Sequence, residues 1–168
     1  MDAGLPVVAI GKIGDLFAGR GITKIVHTHD DLDGMAQTIC AMDATPGGLI
    51  FTNLVDLDAR FGHRNDPRGY GEDLERIDGE MARVIAGLRP ADLLLITADH
   101  GNDPTNTSTD HSREYVPLLA TGSGVRAGAD LGVRRTLADV GATVATALNV
   151  APPAVGTSFL DATLRTSP

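Results

Sequence analysis

A single cysteine, Cys40, in 168 residues excludes an intrachain disulfide and fits a reducing compartment. Positive charge is also scarce. Fourteen Lys and Arg stand against 22 Asp and Glu, a formal net charge of −8, the wrong sign for gripping a phosphate backbone, so no nucleic-acid partner is expected. No apolar run approaches the roughly 20 residues that span a bilayer, and Met1-Asp2-Ala3-Gly4 lacks the basic flank and apolar stretch of a secretory signal. These absences predict a cytoplasmic protein with no membrane partner.

What is present is ordinary for a globular domain: 42% hydrophobic and 21% charged residues, with no low-complexity tract or internal repeat. A chain this long hides roughly 70% of its unfolded surface, and residues 1–168 are expected to form one domain. Apolar runs at 7–10, 49–55, 93–97 and 116–120 read as short buried strands. Between them, Met35, Ala36, Ile39, Cys40 and Met42 share one helix face, with Asp30 or Asp31 as cap and Cys40 as a small buried hydrophobe. Leu74, Ile77, Met81, Val84, Ile85 and Leu88 make a second face, with the charges from Glu72 to Arg83 turned to solvent. Leu137, Val140, Val144, Ala147 and Leu148 make a third after Thr136 as cap, and the tail 165–168 is expected to fray. The alternation predicts an α/β fold, a mostly parallel sheet with helices on both faces.

Two strands run directly into carboxylates: Ala98-Asp99-His100-Gly101-Asn102-Asp103 follows one, Asp56-Leu57-Asp58 the other. The carboxyl edge of an open α/β sheet is where such folds bind ligands. Gly62-His63-Arg64 and Thr109-Asp110-His111 lie close by, so three of the five histidines fall near these carboxylates. Neutral imidazole with carboxylate suits Mn²⁺, Zn²⁺ or Fe²⁺, and one cysteine rules out a thiolate site. A turn at Gly101 lets the adjacent Asp99 and His100 converge or serve two neighbouring ions, the arrangement that clamps a transferring phosphoryl group. Spacing leaves Asp56 and Asp58 as alternatives. His27 and His29 read as a solvated connection, and Asn106-Thr107-Ser108 as loop chemistry without a secretion signal. The glycines from 122 to 128 miss the dinucleotide spacing, and Gly11-Lys12 lacks the rest of a P-loop.

Thr97-Ala98-Asp99-His100-Gly101-Asn102-Asp103-Pro104-Thr105 followed by Thr109-Asp110-His111-Ser112-Arg113-Glu114-Tyr115 resembles the phosphopentomutase family of the alkaline phosphatase superfamily. Gly11-Lys12-Ile13-Gly14-Asp15, Asp33-Gly34-Met35 and Phe51-Thr52-Asn53-Leu54-Val55-Asp56-Leu57-Asp58 with Gly62-His63-Arg64 extend the likeness in the same order. The resemblance implies an alkaline-phosphatase-like core and a two-manganese enzyme that interconverts ribose or deoxyribose 1-phosphate with the 5-phosphate through a phosphothreonine. It places Asp58, His63 and His111 on one Mn²⁺ and Asp99 and His100 on the other, and sets Lys12 against the substrate phosphate. It thereby selects Asp58 over Asp56.

The same resemblance implies that this chain is the carboxy-terminal part of a catalytic core. Family members are roughly twice as long or more. The last aspartate ligand, the nucleophilic threonine and a cap domain lie in an amino-terminal part not seen in this sequence, so no catalytic nucleophile is assigned. Thr97, Thr105 and Thr109 do not match it, and Asn106-Thr107-Ser108 replaces the family's aromatic-proline-glycine segment. Two other readings stand beside the mutase. One is a noncatalytic remnant or subunit that keeps the metal residues, with self-association or a partner chain covering a truncated face. The other is another superfamily member, such as a cofactor-independent phosphoglycerate mutase.

Overall fold

In the computed structural model, which describes residues 3–165, the apolar run Val7–Ile10 becomes strand β1, with Val8, Ala9 and Ile10 buried. The short helix α1 (Ile13–Leu16) leads to β2 (Lys24–Val26), and helix α2 (Asp31–Ala44) crosses to β3 (Leu49–Thr52). Both neighbours of β1 run parallel to it, Val8 facing Lys24 and Val7 facing Leu49, giving the order β2-β1-β3. The expected α/β class with a parallel sheet and helices therefore holds. β2 is not among the expected strands: three residues starting with a lysine, on an exposed edge, carry too little apolar pattern. The tail residues 166–168 and the first two lie outside the described residues.

Gly11 closes β1 at φ +76, and a Cβ there would sit 2.3 Å from the Asn53 carbonyl oxygen. Glycine lets the ends of β1 and β3 meet, which fixes where the chain leaves β3 toward Asp58. Asp30 caps α2, its carboxylate accepting from the Asp33 N–H at 2.8 Å. The helix lays Ala41 against Val8 and Ile10, and Thr38 Oγ1 meets Thr52 Oγ1 at 2.7 Å. Burying an aliphatic side chain such as Val8 or Ile10 contributes about 1.5–3 kcal/mol. Cys40 does not join them. It is exposed, half a helical turn away from the stripe formed by Asp31, Gly34, Met35 and Ala41.

Helix α3 (Pro67–Ala86) begins at Asp66, whose carboxylate accepts from Gly69 N–H, with Pro67 in the first turn. Its buried stripe is Asp73, Ile77 and Val84, rotated from the expected face, so that Leu74 and Ile85 are 46% and 47% exposed. Asp73, expected among the solvent-facing charges, is only 4% exposed, and its Oδ2 has no hydrogen-bond partner among the described residues. Asp31 on α2 is similar, 2% exposed with Oδ2 unpartnered among the described residues. Its Oδ1 accepts from Val55 and Asp56 N–H at 2.6 and 3.0 Å. Burial pushes the Asp31 carboxyl up to about 6; the two N–H donors oppose this, and the charges of Asp56 and Asp73 add to it.

The chain divides into two compact units, one with the residues up to Gly87 and His100–Val116, the other with Leu88–Asp99 and the residues from Pro117 onward. In the second unit, β4 (Leu94–Thr97) pairs antiparallel with β5 (Leu118–Thr121), Leu94 facing Thr121. Helix α4 (Ala138–Ala147) starts after Leu137, which makes no side-chain cap, although the Thr136 hydroxyl accepts from Ala138 N–H at 3.2 Å. The buried Thr143 donates to Asp139 O and accepts from Phe159 N–H, holding the approach to the short helix α5 (Leu160–Thr163). Asp139 accepts from Thr157 N–H and from Arg134, which together hold its carboxyl below the usual range.

Candidate metal centre

Beyond β3 the backbone is pinned from two sides. Asp31 Oδ1 takes the N–H groups of Val55 and Asp56, and Asp56 turns its own carboxylate to Arg60 at 3.2 Å and to the Asp31 N–H at 3.4 Å. Asp56 is thus committed to structure. The chain then winds through a π-type turn, Leu57–Phe61, and a 3₁₀ turn, Gly62–Arg64, before Asn65 takes left-handed dihedrals ahead of α3. Local wide turns of this kind recur where a side chain must be aimed at a ligand. Here they present Asp58 and His63.

The other residues come from the segment 100–112, closed on itself by the Ser112 N–H donating to Gly101 O at 3.0 Å. Asp103 accepts from the hydroxyl and N–H of Thr105, which holds its carboxyl below the usual range. The Asn106 side-chain oxygen accepts from Ser108 N–H, the loop turn that its residue types suggest. This segment carries His100 and His111 to Asp58.

One carboxylate oxygen is the focus. Asp58 Oδ1 lies 3.3 Å from His111 Nε2, 3.4 Å from His63 Nε2 and 4.0 Å from His100 Nε2. The His100 and His111 rings stack at 3.6 Å, and His63 lies 4.9 Å from His111. Ligand atoms of Asp58, His100 and His111 all fall within 4.8 Å of one another, close enough for one ion. The far sides of two rings are also set. His63 Nδ1 donates to Thr109 O and His100 Nδ1 to Gly101 O. A carbonyl can only accept, so in the neutral rings Nε2 is left with its lone pair for a cation, as metal-bound imidazoles arrange it. The donor set fits a divalent transition ion and has no thiolate. The Asp58 charge is felt at Tyr70 on α3, whose phenol is pushed up by burial and then by this carboxylate.

The remaining predicted residues are placed as follows. Asp99 is exposed and immediately precedes His100, at the end of the segment leaving β4. Lys12 is exposed at the start of α1. Because β1 and β3 are parallel, Lys12 and Asp58 follow strands that end on the same sheet edge. His27 and His29 are exposed in the connection before α2, where the His29 N–H donates to Asp33. Sequence reasoning missed Asn102, whose Nδ2 donates to Asp58 Oδ1 at 2.9 Å. Asp58 is 44 residues away from it, and no local spacing announces the pairing.

The family model described as the metalloenzyme superfamily matches residues 6–152. The chain is 49% identical over 158 residues to a phosphopentomutase of Clostridioides difficile, covering 94% of this chain and 40% of that protein. It is 54% identical over 160 residues to a phosphopentomutase of Anaeromyxobacter sp. (strain K), covering 95% and 41%. It therefore spans about 40% of the length of these relatives. A solved structure of Leishmania mexicana phosphoglycerate mutase has the same fold over 92% of this chain and 37% of its own, at a TM-score of 0.70 and 20% identity.

Proposed function

Because the chain belongs to the metalloenzyme superfamily, we propose that it is the metal-binding, carboxy-terminal portion of a phosphopentomutase, exchanging a phosphoryl group between the 1- and 5-positions of ribose or deoxyribose. The observation that carries this reading is the convergence of three imidazole Nε2 atoms on Asp58 Oδ1, in a chain about half identical to phosphopentomutases. Asp58, His63 and His111 would hold one Mn²⁺, and His100 with Asp99 a second. The ions, when bound, neutralise the charge of the transferring phosphoryl group and polarise it toward attack.

The chain's own residues prepare that chemistry. Thr109 O and Gly101 O fix the ring orientation of His63 and His100. Asp31 anchors the turn from which Asp58 projects. Lys12, on the sheet edge beyond which Asp58 also lies, would receive the substrate phosphate as a point charge. No threonine of this chain is assigned as nucleophile. The family match runs through both compact units, which supports reading them as parts of one catalytic core. Leu16, Phe17, Ile25 and Phe51 leave an apolar surface exposed on the first unit, suited to a further chain or a second copy. A reducing, cytoplasmic setting accords with this role.

The test is conversion of ribose 1-phosphate to ribose 5-phosphate by the purified chain with Mn²⁺ and a bisphosphate activator, beside a chelated control. Metal-dependent conversion would mean that this chain, or a multimer of it, supplies a nucleophile and a further metal ligand of its own. Turnover of phosphoglycerate instead would assign another branch of the superfamily. No turnover by folded, metal-loaded protein is the result expected of a carboxy-terminal portion that lacks the nucleophilic threonine.

A further inference from the structure

We infer that Asn102 is a positioning residue for the Asp58 carboxylate, and that residue 62 is glycine to give the Asn102 amide its path. The inference rests on the reading of Asp58 as a metal ligand. Asn102 Nδ2 donates to Asp58 Oδ1 at 2.9 Å, the same oxygen that the imidazoles face. An amide is suited to this position because it donates, carries no charge that would repel a cation strongly, and cannot lose its proton at working pH.

Gly62 supplies the independent observation. Its dihedrals, φ −61 and ψ −61, are ordinary helical values open to any residue, so backbone conformation does not require glycine there. Space does. A Cβ at position 62 would stand 2.1 Å from Asn102 Nδ2, 2.5 Å from Cγ and 2.6 Å from Oδ1. The amide thus lies flat against the backbone next to His63. The neighbouring Gly101 is itself close-packed, since a Cβ there would meet Ser112 O at 2.6 Å and Glu114 N at 2.7 Å. The strand-like bridge from Gly101 to Ser112 fixes the segment that presents His100 and His111. Asn102 ties that segment to Asp58, so carboxylate and imidazoles are set by one element. An outer partner of a metal ligand typically governs affinity by 10–100-fold.

The test is calorimetric titration of the purified chain with Mn²⁺, beside circular dichroism of the metal-free proteins. Asn102→Ala is expected to weaken binding by about tenfold. Gly62→Ala, which keeps the amide but displaces it, is expected to weaken binding to a similar extent. Asn102→Ser, whose hydroxyl is too short to reach Asp58, serves should the alanine variant not fold. In an Asp58→Asn background, Asn102→Ala should cost nothing further, which a general loosening of the loop would not reproduce. Unchanged affinity in Asn102→Ala and Asn102→Ser, with binding lost in Asp58→Ala, would overturn the role of Asn102 and leave the metal reading intact. Equal losses from Asn102→Ala with and without Asp58 would also overturn it. No binding by the unsubstituted chain would overturn both.

Discussion

Replacing Asp58 with alanine is expected to weaken Mn²⁺ binding by at least about a hundredfold, roughly 2.7 kcal/mol. Its Oδ1 is the atom that His63, His100 and His111 face within 4.0 Å. Without it, only the His63 and His111 imidazoles remain to hold the doubly charged ion, and both a bond and a compensating charge are lost. His111→Ala removes one neutral donor and is expected to cost about tenfold, near 1.4 kcal/mol. His29→Ala, on the exposed connection before α2, should leave the titration unchanged. Equal effects from all three substitutions would contradict the site.

The second large effect is on stability and its pH dependence. Asp31 lies 2% exposed, with Oδ2 unpartnered among the described residues and the carboxylates of Asp56 and Asp73 around it. Arg60 accompanies Asp56, and Arg76 is 3.9 Å from Asp73, while the α2 cap Asp30 adds a further negative group. The folded protein therefore prefers Asp31 neutral, with its carboxyl raised from 3.8 to about 6. A group raised on folding stabilises fully below its unfolded value, and that stabilisation is lost as pH rises through the folded value. Between about pH 4 and 6 the native protein should lose up to roughly a hundredfold in its folding equilibrium, on the order of 3 kcal/mol. Asp31→Asn keeps an oxygen for the Val55 and Asp56 N–H groups and removes the ionisation. Urea unfolding at a series of pH values should show the variant gaining on the unsubstituted chain from pH 4 to 6, then holding a constant lead. Parallel curves would contradict the burial cost assigned to Asp31.

These two carboxylates show what a sequence can and cannot disclose. Asp58 is legible because it follows an apolar strand run and lies near several histidines, although choosing it over Asp56 needs the family likeness. The structure gives the physical distinction: Asp56 is taken up by Arg60 and the Asp31 N–H, whereas Asp58 faces the imidazoles. β1, β3, β4 and the three longer helices announce themselves through apolar runs, periodicity and caps. β2 does not, being a short polar-led edge strand whose pairing with β1 is tertiary. Asp73 misleads because a carboxylate on an amphipathic helix ordinarily faces water, and only the packing of α3 rotates it inward. Asn102 is invisible for the same reason, since its meaning depends on the space left at Gly62.

The most direct measurement is X-ray diffraction at the manganese absorption edge from crystals of this chain grown with Mn²⁺. An anomalous peak is expected within bonding distance of Asp58 and the Nε2 atoms of the neighbouring histidines. Ordered side chains there with no peak, or a peak only at other residues, would contradict it.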